Sequence, residues 1–182
     1  MPRTAYRLPL SLAGIAFAFA APLAAQDASA TEQEAETLAL NHIGLAVSDL
    51  DASASFFIDT LGWKPAGGDP SYPAKFVTNG EMFVTLWRVT DPASAVPFDR
   101  KTNVGLHHMA ITVRDLATLD ALYQRFQEHP RVEIEFGPEF LGNGPTTHMM
   151  IREPSGIRLE FIVPRGRMSE EERARPNPRT RD

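Results

Sequence analysis

The feature that most constrains the fold of this chain is an internal repeat. A ten-residue run at 41–50 returns at 107–116, and the two runs align without gaps. His42 coincides with His108, the closing Val, Asp and Leu coincide as well, and the apolar pattern agrees at nearly every other position. Because a duplicated run marks two copies of one structural unit, the sequence predicts two similar modules.

The opening run of each copy predicts a β-strand, because apolar residues alternate with small residues or histidine at a period of two. Apolar residues at helical spacing follow at 50–61 and at 116–126. The predicted helix boundaries are Ser48 or Asp49 and Asp115 as N-caps, and Gly62 and Pro130 as ends. Each copy therefore begins with a strand and a helix.

Three further strands are predicted after each helix. In the first copy they cover 63–66, 75–78 and 82–89, and in the second copy they cover 132–136, 147–152 and 157–163. Hairpin turns are predicted at Asn79-Gly80 and Ser155-Gly156, and Gly137-Pro138 is predicted to end the first strand of the second set.

The predicted fold class is α+β. Tandem βαβββ modules at 40–90 and 105–164, joined by a Pro-, Ser- and Asp-rich linker, are expected to form a cup-shaped mixed sheet with the helices on the outside. The sheet faces that point away from the helices then line the cup and are free to hold a ligand.

The two ends of the chain are predicted to lie outside this domain. A basic start, an apolar run and a stretch of small residues over 1–25 are typical of a secretory signal peptide, which predicts a periplasmic or secreted protein. The alternative is an uncleaved membrane anchor, for which the apolar run is marginal. Residues 26–39 predict a flexible linker, and the charged residues 165–182 predict a disordered tail.

Charge and composition narrow the function classes. The formal net charge is −5 at pH 7, which argues against nucleic acid or an anionic membrane as partner. The chain has no cysteine, so disulfides, thiolate metal ligands and a cysteine nucleophile are excluded. We expect a small-molecule substrate, no nucleic acid, and no membrane contact after the signal peptide is removed.

His42 and His108 are predicted to project into the cup, next to small residues that leave room for a ligand. Glu160 is expected to face the same way from an apolar strand, where an unpaired carboxylate is costly and needs a cation or hydrogen bonds. Two imidazoles and one carboxylate suffice to bind Fe(II), Mn, Zn or Ni and leave positions open for substrate. Each residue alone is more often structural, and Arg152 or Arg158 is an alternative partner for Glu160.

These residues resemble the vicinal oxygen chelate superfamily of glyoxalases, bleomycin-resistance proteins, fosfomycin-resistance enzymes and extradiol dioxygenases. The resemblance covers about 40–164 and rests on the runs 41–50, 56–57, 61–63, 108–113 and 153–160. It implies metal ligands at His42, His108 and Glu160, with His107 as a less favoured alternative to His108 because a shift of one residue reverses the face. It also implies that the modules of one cup come from a single chain or from two chains of a homodimer.

The resemblance places the fourth ligand position of the family on Thr85. A threonine hydroxyl cannot replace the carboxylate base that glyoxalase chemistry requires, so the residues favour extradiol-dioxygenase-type chemistry weakly. A glyoxalase-like lyase or isomerase and a non-catalytic binder of the bleomycin-resistance kind remain the alternatives.

Other residues are candidates for catalysis or substrate binding. The resemblance to dioxygenases suggests His148 as an additional histidine near the metal, and Tyr72 is a candidate phenol donor. The residues expected to contact substrate are Phe83, Thr85, Trp87, Met150 and Arg158. Ordinary core packing explains Phe83, Trp87 and Met150 equally well. Arg158 is alternatively explained as a solvated surface side chain.

Overall fold

The structure is a computed structural model that describes residues 35–177. Residues 39–177 belong to one compact unit, and the four described residues before it, 35–38, are exposed and lack regular secondary structure. The predicted signal peptide and most of the predicted linker lie outside the described residues. Within the described range, no helix has the length and apolar character needed to cross a membrane.

The described chain contains two βαβββ modules in tandem, so the predicted α+β class is confirmed. The first module consists of β1 (Ile43–Val47), α1 (Leu50–Ser55), a π-helical turn (Phe56–Thr60), β2 (Lys64–Asp69), β3 (Ala74–Thr78) and β4 (Phe83–Arg88). The second consists of β5 (Met109–Thr112), α2 (Leu116–Glu128), β6 (Glu133–Phe140), β7 (Thr147–Arg152) and β8 (Arg158–Val163). A 3-10 turn (Arg165–Arg167) and α3 (Glu170–Arg173) follow.

The two modules have the same sheet topology. The strand order is β1-β4-β3-β2 in the first sheet and β5-β8-β7-β6 in the second. In each sheet the first and last strands of the module pair in parallel, and the remaining pairs are antiparallel, so both sheets are mixed as predicted. In the described part of a single chain, the two sheets are separate ladders and do not form one continuous sheet.

The helices start where the sequence predicts. Asp49 and Asp115 are the N-caps, and their carboxylates accept hydrogen bonds from the backbone N–H groups of Ala52 and Thr118. The first helix differs from the prediction after Ser55, because it continues as a π-helical turn. This π-helical turn begins with two adjacent phenylalanines, Phe56 and Phe57, which are both fully buried.

Strand β6 is longer than predicted, because it continues through Gly137-Pro138 to Phe140. The prediction that this dipeptide ends the strand is wrong for a topological reason. Strand β6 is at the edge of its sheet, and its register with β7 is irregular between Phe136 and Glu139. Proline lacks a backbone N–H, and edge strands and bulges are the positions in a sheet that tolerate this loss.

The two modules meet through their helical sides. Phe56 of the first module packs on Phe126 of α2 at a ring distance of 5.8 Å, and one hydrophobic core contains the helix-facing residues of both sheets. The buried Ser53 hydroxyl donates to Glu153 at 2.6 Å, and Arg131 forms an ion pair with Asp49 at 2.7 Å. The helices therefore lie at the junction between the modules.

Residues 165–177 differ from the predicted disordered tail. The Met168 side chain is buried in the shared core, and Ser169 caps α3 with a capping box. Arg175 lies over the ring of Phe140 at 5.2 Å, and Asn177 donates to the backbone of the β6–β7 loop. A charged segment can be ordered when a few of its residues pack on the domain, which composition does not reveal.

Candidate metal and substrate site

The second sheet brings two of the three predicted metal ligands together. Glu160 lies on β8 opposite Ala110 of β5, and His108 immediately precedes β5. The distance from His108 Nε2 to Glu160 Oε2 is 3.1 Å. His108, rather than His107, therefore faces Glu160.

A second histidine holds the other oxygen of Glu160. His148 Nδ1 lies 2.5 Å from Glu160 Oε1, and both residues are buried. The His148 ring packs against Phe136 at a centroid distance of 5.0 Å, and its Nε2 lies 3.9 Å from Glu139 Oε1. Each oxygen of Glu160 thus lies next to a different histidine.

His42 lies next to the first sheet, and within one chain it is not close to His108, His148 and Glu160. It precedes β1, its Nδ1 lies 2.8 Å from Asn41 Oδ1, and its ring packs edge-on against Phe83 at 6.3 Å. In residues 35–177, no group of three or more His, Asp or Glu side chains is arranged to hold a metal ion. A single chain therefore supplies two of the three predicted ligands at one place.

The pair formed by His108 and Glu160 fits one side of a metal site. Two ligand atoms about 2.1 Å from an ion at right angles to each other are about 3 Å apart, which agrees with the observed 3.1 Å between Nε2 and Oε2. An imidazole and a carboxylate are ligands that suit Fe(II), Mn, Zn and Ni. This pair therefore fits a metal as two of the three predicted ligands.

Thr85 lies on the face predicted for it, but its hydroxyl is already engaged. A Cβ placed on Gly44 would lie 3.3 Å from Thr85 Oγ1, so both residues occupy the same face of the sheet. The indole N–H of Trp87 donates to Thr85 Oγ1 at 2.9 Å, and Thr85 Oγ1 lies 3.4 Å from the backbone oxygen of Ile43. The hydroxyl therefore accepts from the Trp87 indole and has a backbone acceptor for its own proton.

Four aromatic rings cover this side of the first sheet, and we call them the aromatic face. They are Tyr72, Phe76, Phe83 and Trp87, with neighbouring centroids 5.1 to 5.9 Å apart. Tyr72, a predicted phenol donor, stacks on Trp87 and is half exposed. Phe76 was not among the predicted substrate contacts, although its register opposite Thr85 places it on this face.

Arg158, a predicted substrate contact, is buried and forms a charged cluster with Glu135 and Arg152, which are both partly exposed. Arg158 donates to Glu135 through Nε at 2.9 Å and through a terminal nitrogen at 2.7 Å, while Arg152 approaches the same carboxylate at 2.8 Å. The hydrogen bond from Arg158 lowers the pKa of Glu135 below its usual value. Arg158 also donates to the backbone oxygen of His107 at 3.0 Å, so the cluster supports the segment that carries His108.

Two further features of the second module are the side chain of Met150 and a cleft beside Arg152 and Arg158. Met150 is buried and pairs in register with Glu160. A cleft of about 400 Å³ lies between the end of β1, the linker around Phe98 and the β7–β8 turn. Arg152 and Arg158 line this cleft, whereas His108 and Glu160 do not, so it is separate from the metal-ligand pair.

Comparison with known proteins agrees with this architecture. The sequence model of the Glyoxalase/Bleomycin resistance protein/Dioxygenase superfamily matches residues 39–161, which is more than half of the chain. A solved glyoxylase/bleomycin resistance protein/dioxygenase domain from Frankia is 24% identical with a TM-score of 0.61, and the match covers 71% of this chain and 99% of that chain. A lactoylglutathione lyase from Agrobacterium tumefaciens is 23% identical with a TM-score of 0.52, over 71% of this chain and 96% of that chain.

One relative in sequence is a 2-epi-5-epi-valiolone epimerase from Actinomyces. It is 27% identical over an alignment of 151 residues, and the match covers 69% of this chain and 79% of the epimerase. The two structural neighbours are too distant in sequence to indicate more than a common fold.

Proposed function

Because the chain belongs to the Glyoxalase/Bleomycin resistance protein/Dioxygenase superfamily, we propose that it is a divalent-metal-dependent enzyme that chelates a small molecule through two neighbouring oxygen atoms. The observation that carries this proposal is the distance of 3.1 Å between His108 Nε2, directly before β5, and Glu160 Oε2 on the neighbouring strand β8. His42 at the matching position of the repeat is the third proposed ligand. The ion is Fe(II), Mn, Zn or Ni, and when bound it supplies a Lewis acid that orients and polarises the two substrate oxygens.

We place the complete site between two copies of the chain. Within a chain, the helical sides of the two modules share one core. The sheet face near His42 and the sheet face that carries Glu160 therefore do not meet in one chain. A two-fold homodimer can bring the first module of one copy against the second module of its partner, and symmetry then forms two equal sites. His42 of one copy would face His108 and Glu160 of the other.

The substrate is proposed to lie between two chemically different walls. The aromatic face of the first module offers ring surfaces that bind a flat or cyclic apolar group by stacking. The second module offers the ligand pair and the buried side chain of Met150. This combination favours a ring that carries two adjacent oxygens over an extended peptide such as glutathione.

The first candidate reaction is extradiol-dioxygenase-type chemistry on such a ring. It is favoured because Thr85, the position of the carboxylate base in glyoxalases, carries a hydroxyl that is engaged with Trp87. The second candidate is a proton-transfer reaction of the lyase, isomerase or epimerase type. It is favoured by the 27% identical relative, which is an epimerase, and it requires a base from another position.

The metal claim is tested by the metal content of the purified protein beside His42→Ala, His108→Ala and Glu160→Ala variants. Each substitution removes one ligand, so we expect bound metal to fall at least tenfold in each. Metal content that is unchanged in all three variants would overturn the proposed site.

The shared site is tested by mixing two defective chains. In a homodimer that contains His42→Ala in one copy and Glu160→Ala in the other, one of the two sites regains all three ligands. We expect the mixed dimer to bind about half of the metal that the wild-type dimer binds, while either variant alone binds almost none. If the mixed dimer binds no metal, the shared site is contradicted. The three ligands would then come from one chain or would not form a metal site.

The reaction type is tested with Fe(II)-loaded protein and a panel of catechols. Oxygen consumption with ring opening supports the dioxygenase candidate. Incorporation of deuterium from D2O into a cyclic hydroxyketone, without oxygen consumption, supports the isomerase candidate. Neither signal with either panel would contradict both proposals.

Export is proposed separately from the reaction. It rests on the segment order of residues 1–25, which lie outside the described part of the chain. We expect the protein to accumulate in the periplasm or medium with an N-terminus near Gln26, which intact-mass measurement checks. A full-length N-terminus on protein in the cytoplasm would contradict this proposal.

A further inference from the structure

His148 is a buried side chain with contacts on both ring nitrogens and on its ring face, next to the proposed metal ligands. It projects from the second residue of β7 and is 8% exposed. Its Nδ1 faces Glu160 Oε1 at 2.5 Å, its Nε2 faces Glu139 Oε1 at 3.9 Å, and the ring lies against Phe136. The strand, the ring contact and the two carboxylates together fix its orientation.

The contacts of Glu160 divide its two oxygens between different partners. Oε1 accepts from His148, while Oε2 lies 3.1 Å from His108 Nε2. A carboxylate can rotate about its last bond and exchange its oxygens unless one of them is held. Groups that hydrogen-bond to a ligating carboxylate orient it, and their loss typically costs about 10- to 100-fold in metal affinity.

We propose that His148 is a positioning residue that holds Glu160 through an Nδ1–H···Oε1 hydrogen bond and leaves Oε2 as the single metal-binding oxygen beside His108. This inference rests on the proposed metal function. A direct ligand role for His148 does not fit the geometry, because its Nδ1 and Glu160 Oε1 are 2.5 Å apart, which is closer than the about 3 Å that separates two ligands at right angles around one ion. A role in proton transfer to substrate does not fit either, because both ring nitrogens face carboxylates and the side chain is buried.

The hydrogen bond itself is tested on metal-free protein. Two-dimensional NMR that correlates ring nitrogens with ring protons reports which nitrogen of a histidine carries a proton. We expect His148 Nδ1 to be protonated in the wild-type protein, because Glu160 Oε1 can only accept. An unprotonated Nδ1 would overturn the inference.

The consequence for metal binding is tested with two substitutions of different chemistry. His148→Leu keeps much of the volume and removes the donor, so we expect Mn(II) and Zn(II) to bind about 10- to 100-fold more weakly. His148→Asn places an amide N–H close to the position of Nδ1, so we expect affinity within about threefold of wild type. Ile162→Val, which changes packing at the residue opposite His148, is the control and should leave affinity unchanged.

The outcomes separate this inference from the function on which it rests. Unchanged affinity in His148→Leu overturns the positioning role and leaves the metal function intact. Strong loss in both His148→Leu and His148→Asn identifies a metal ligand and also overturns it. Wild-type protein that binds neither ion overturns the proposed function, and with it the role of His148, even if Nδ1 carries a proton.

Discussion

The two modules have the same topology, but the open face of the first is aromatic and the open face of the second is charged. In both sheets, the first strand of the module pairs in parallel with the last strand. The third strand of the module is the antiparallel neighbour of the last strand on its other side. The open face of the first module carries four aromatic rings, a glycine and a hydrogen-bonded threonine. The open face of the second carries paired histidines, glutamates and arginines.

This difference shows which part of a duplicated unit is constrained by folding. The helix-facing positions of both sheets remain apolar, because they form one core in which burial stabilises the fold. The open faces contribute less to that core, so one copy can specialise in ring surfaces and the other in charge. A duplicated fold can in this way build a cavity with two unlike walls.

The largest expected effect concerns the shared core. Phe56→Ala in the first module and Phe126→Ala in the second each remove a ring that is at least 99% buried, and the two rings touch. We expect each substitution to lower the free energy of unfolding by about 3 to 5 kcal/mol. Urea unfolding followed by circular dichroism should give one transition in both variants, because a single core unfolds as a unit. Two separate transitions would show that the modules fold independently.

The next effect tests the charged face of the second module. Glu135→Gln removes the carboxylate that pairs with the buried guanidinium of Arg158, so we expect a loss of about 3 kcal/mol at neutral pH. The more exposed Glu139→Gln is the matched control and should cost less. An equal effect of both substitutions would contradict the special role of the Arg158 pair.

The same pair predicts a pH dependence. Arg158 lowers the pKa of Glu135 in the folded protein, so the pair stabilises the protein fully above the usual glutamate value of 4.5. This contribution is lost as the pH falls through the lowered pKa. Thermal unfolding between pH 7 and pH 3 should therefore show a smaller decrease in Tm for Glu135→Gln than for wild type. Parallel Tm curves would contradict the assignment.

A smaller effect tests the aromatic face of the first module. Trp87→Phe removes the indole donor to Thr85, and Thr85→Val removes the acceptor, so we expect each to cost about 1 kcal/mol. The double variant should cost less than the sum of the two, because both substitutions break the same bond. Full additivity in chemical unfolding would show that the bond contributes nothing to stability.

The smallest effect concerns the contact between the modules at Glu153. Burial raises the pKa of this carboxyl, so its contribution to stability is present at low pH and is lost as the pH rises through the raised pKa. Glu153→Gln can keep the bonds to Ser53, Ser155 and Ile157. We expect the variant to be more stable by up to about 1 kcal/mol at pH 7 and to lose this advantage towards pH 4. The exposed Glu128→Gln serves as control, and a wild type that is more stable at pH 7 would contradict the prediction.

Much of the fold and part of the candidate site could be predicted from local patterns. The repeat, the N-caps at Asp49 and Asp115 and the order of helices and strands along each module follow from alternation, helical spacing and turn residues. Alternation also placed Glu160 on the open face, where the structure brings it against His108. The path of β6 through Pro138 was mispredicted, because only its position at the edge of the sheet makes a proline acceptable.

By itself, the sequence determined the two modules, the α+β class and the faces on which His42, His108 and Glu160 lie, because these depend on the period of side chains along one element. Only the tertiary structure decided that the modules meet through their helices, that Glu135 neutralises Arg158 and that His148 holds Glu160. Those contacts join residues on different elements, and their partners are selected by packing and register, which have no signature in the local pattern. The repeat predicted that His42 and His108 occupy matching positions. Because the modules pack through their helices, the two histidines lie on separate sheet faces of one chain.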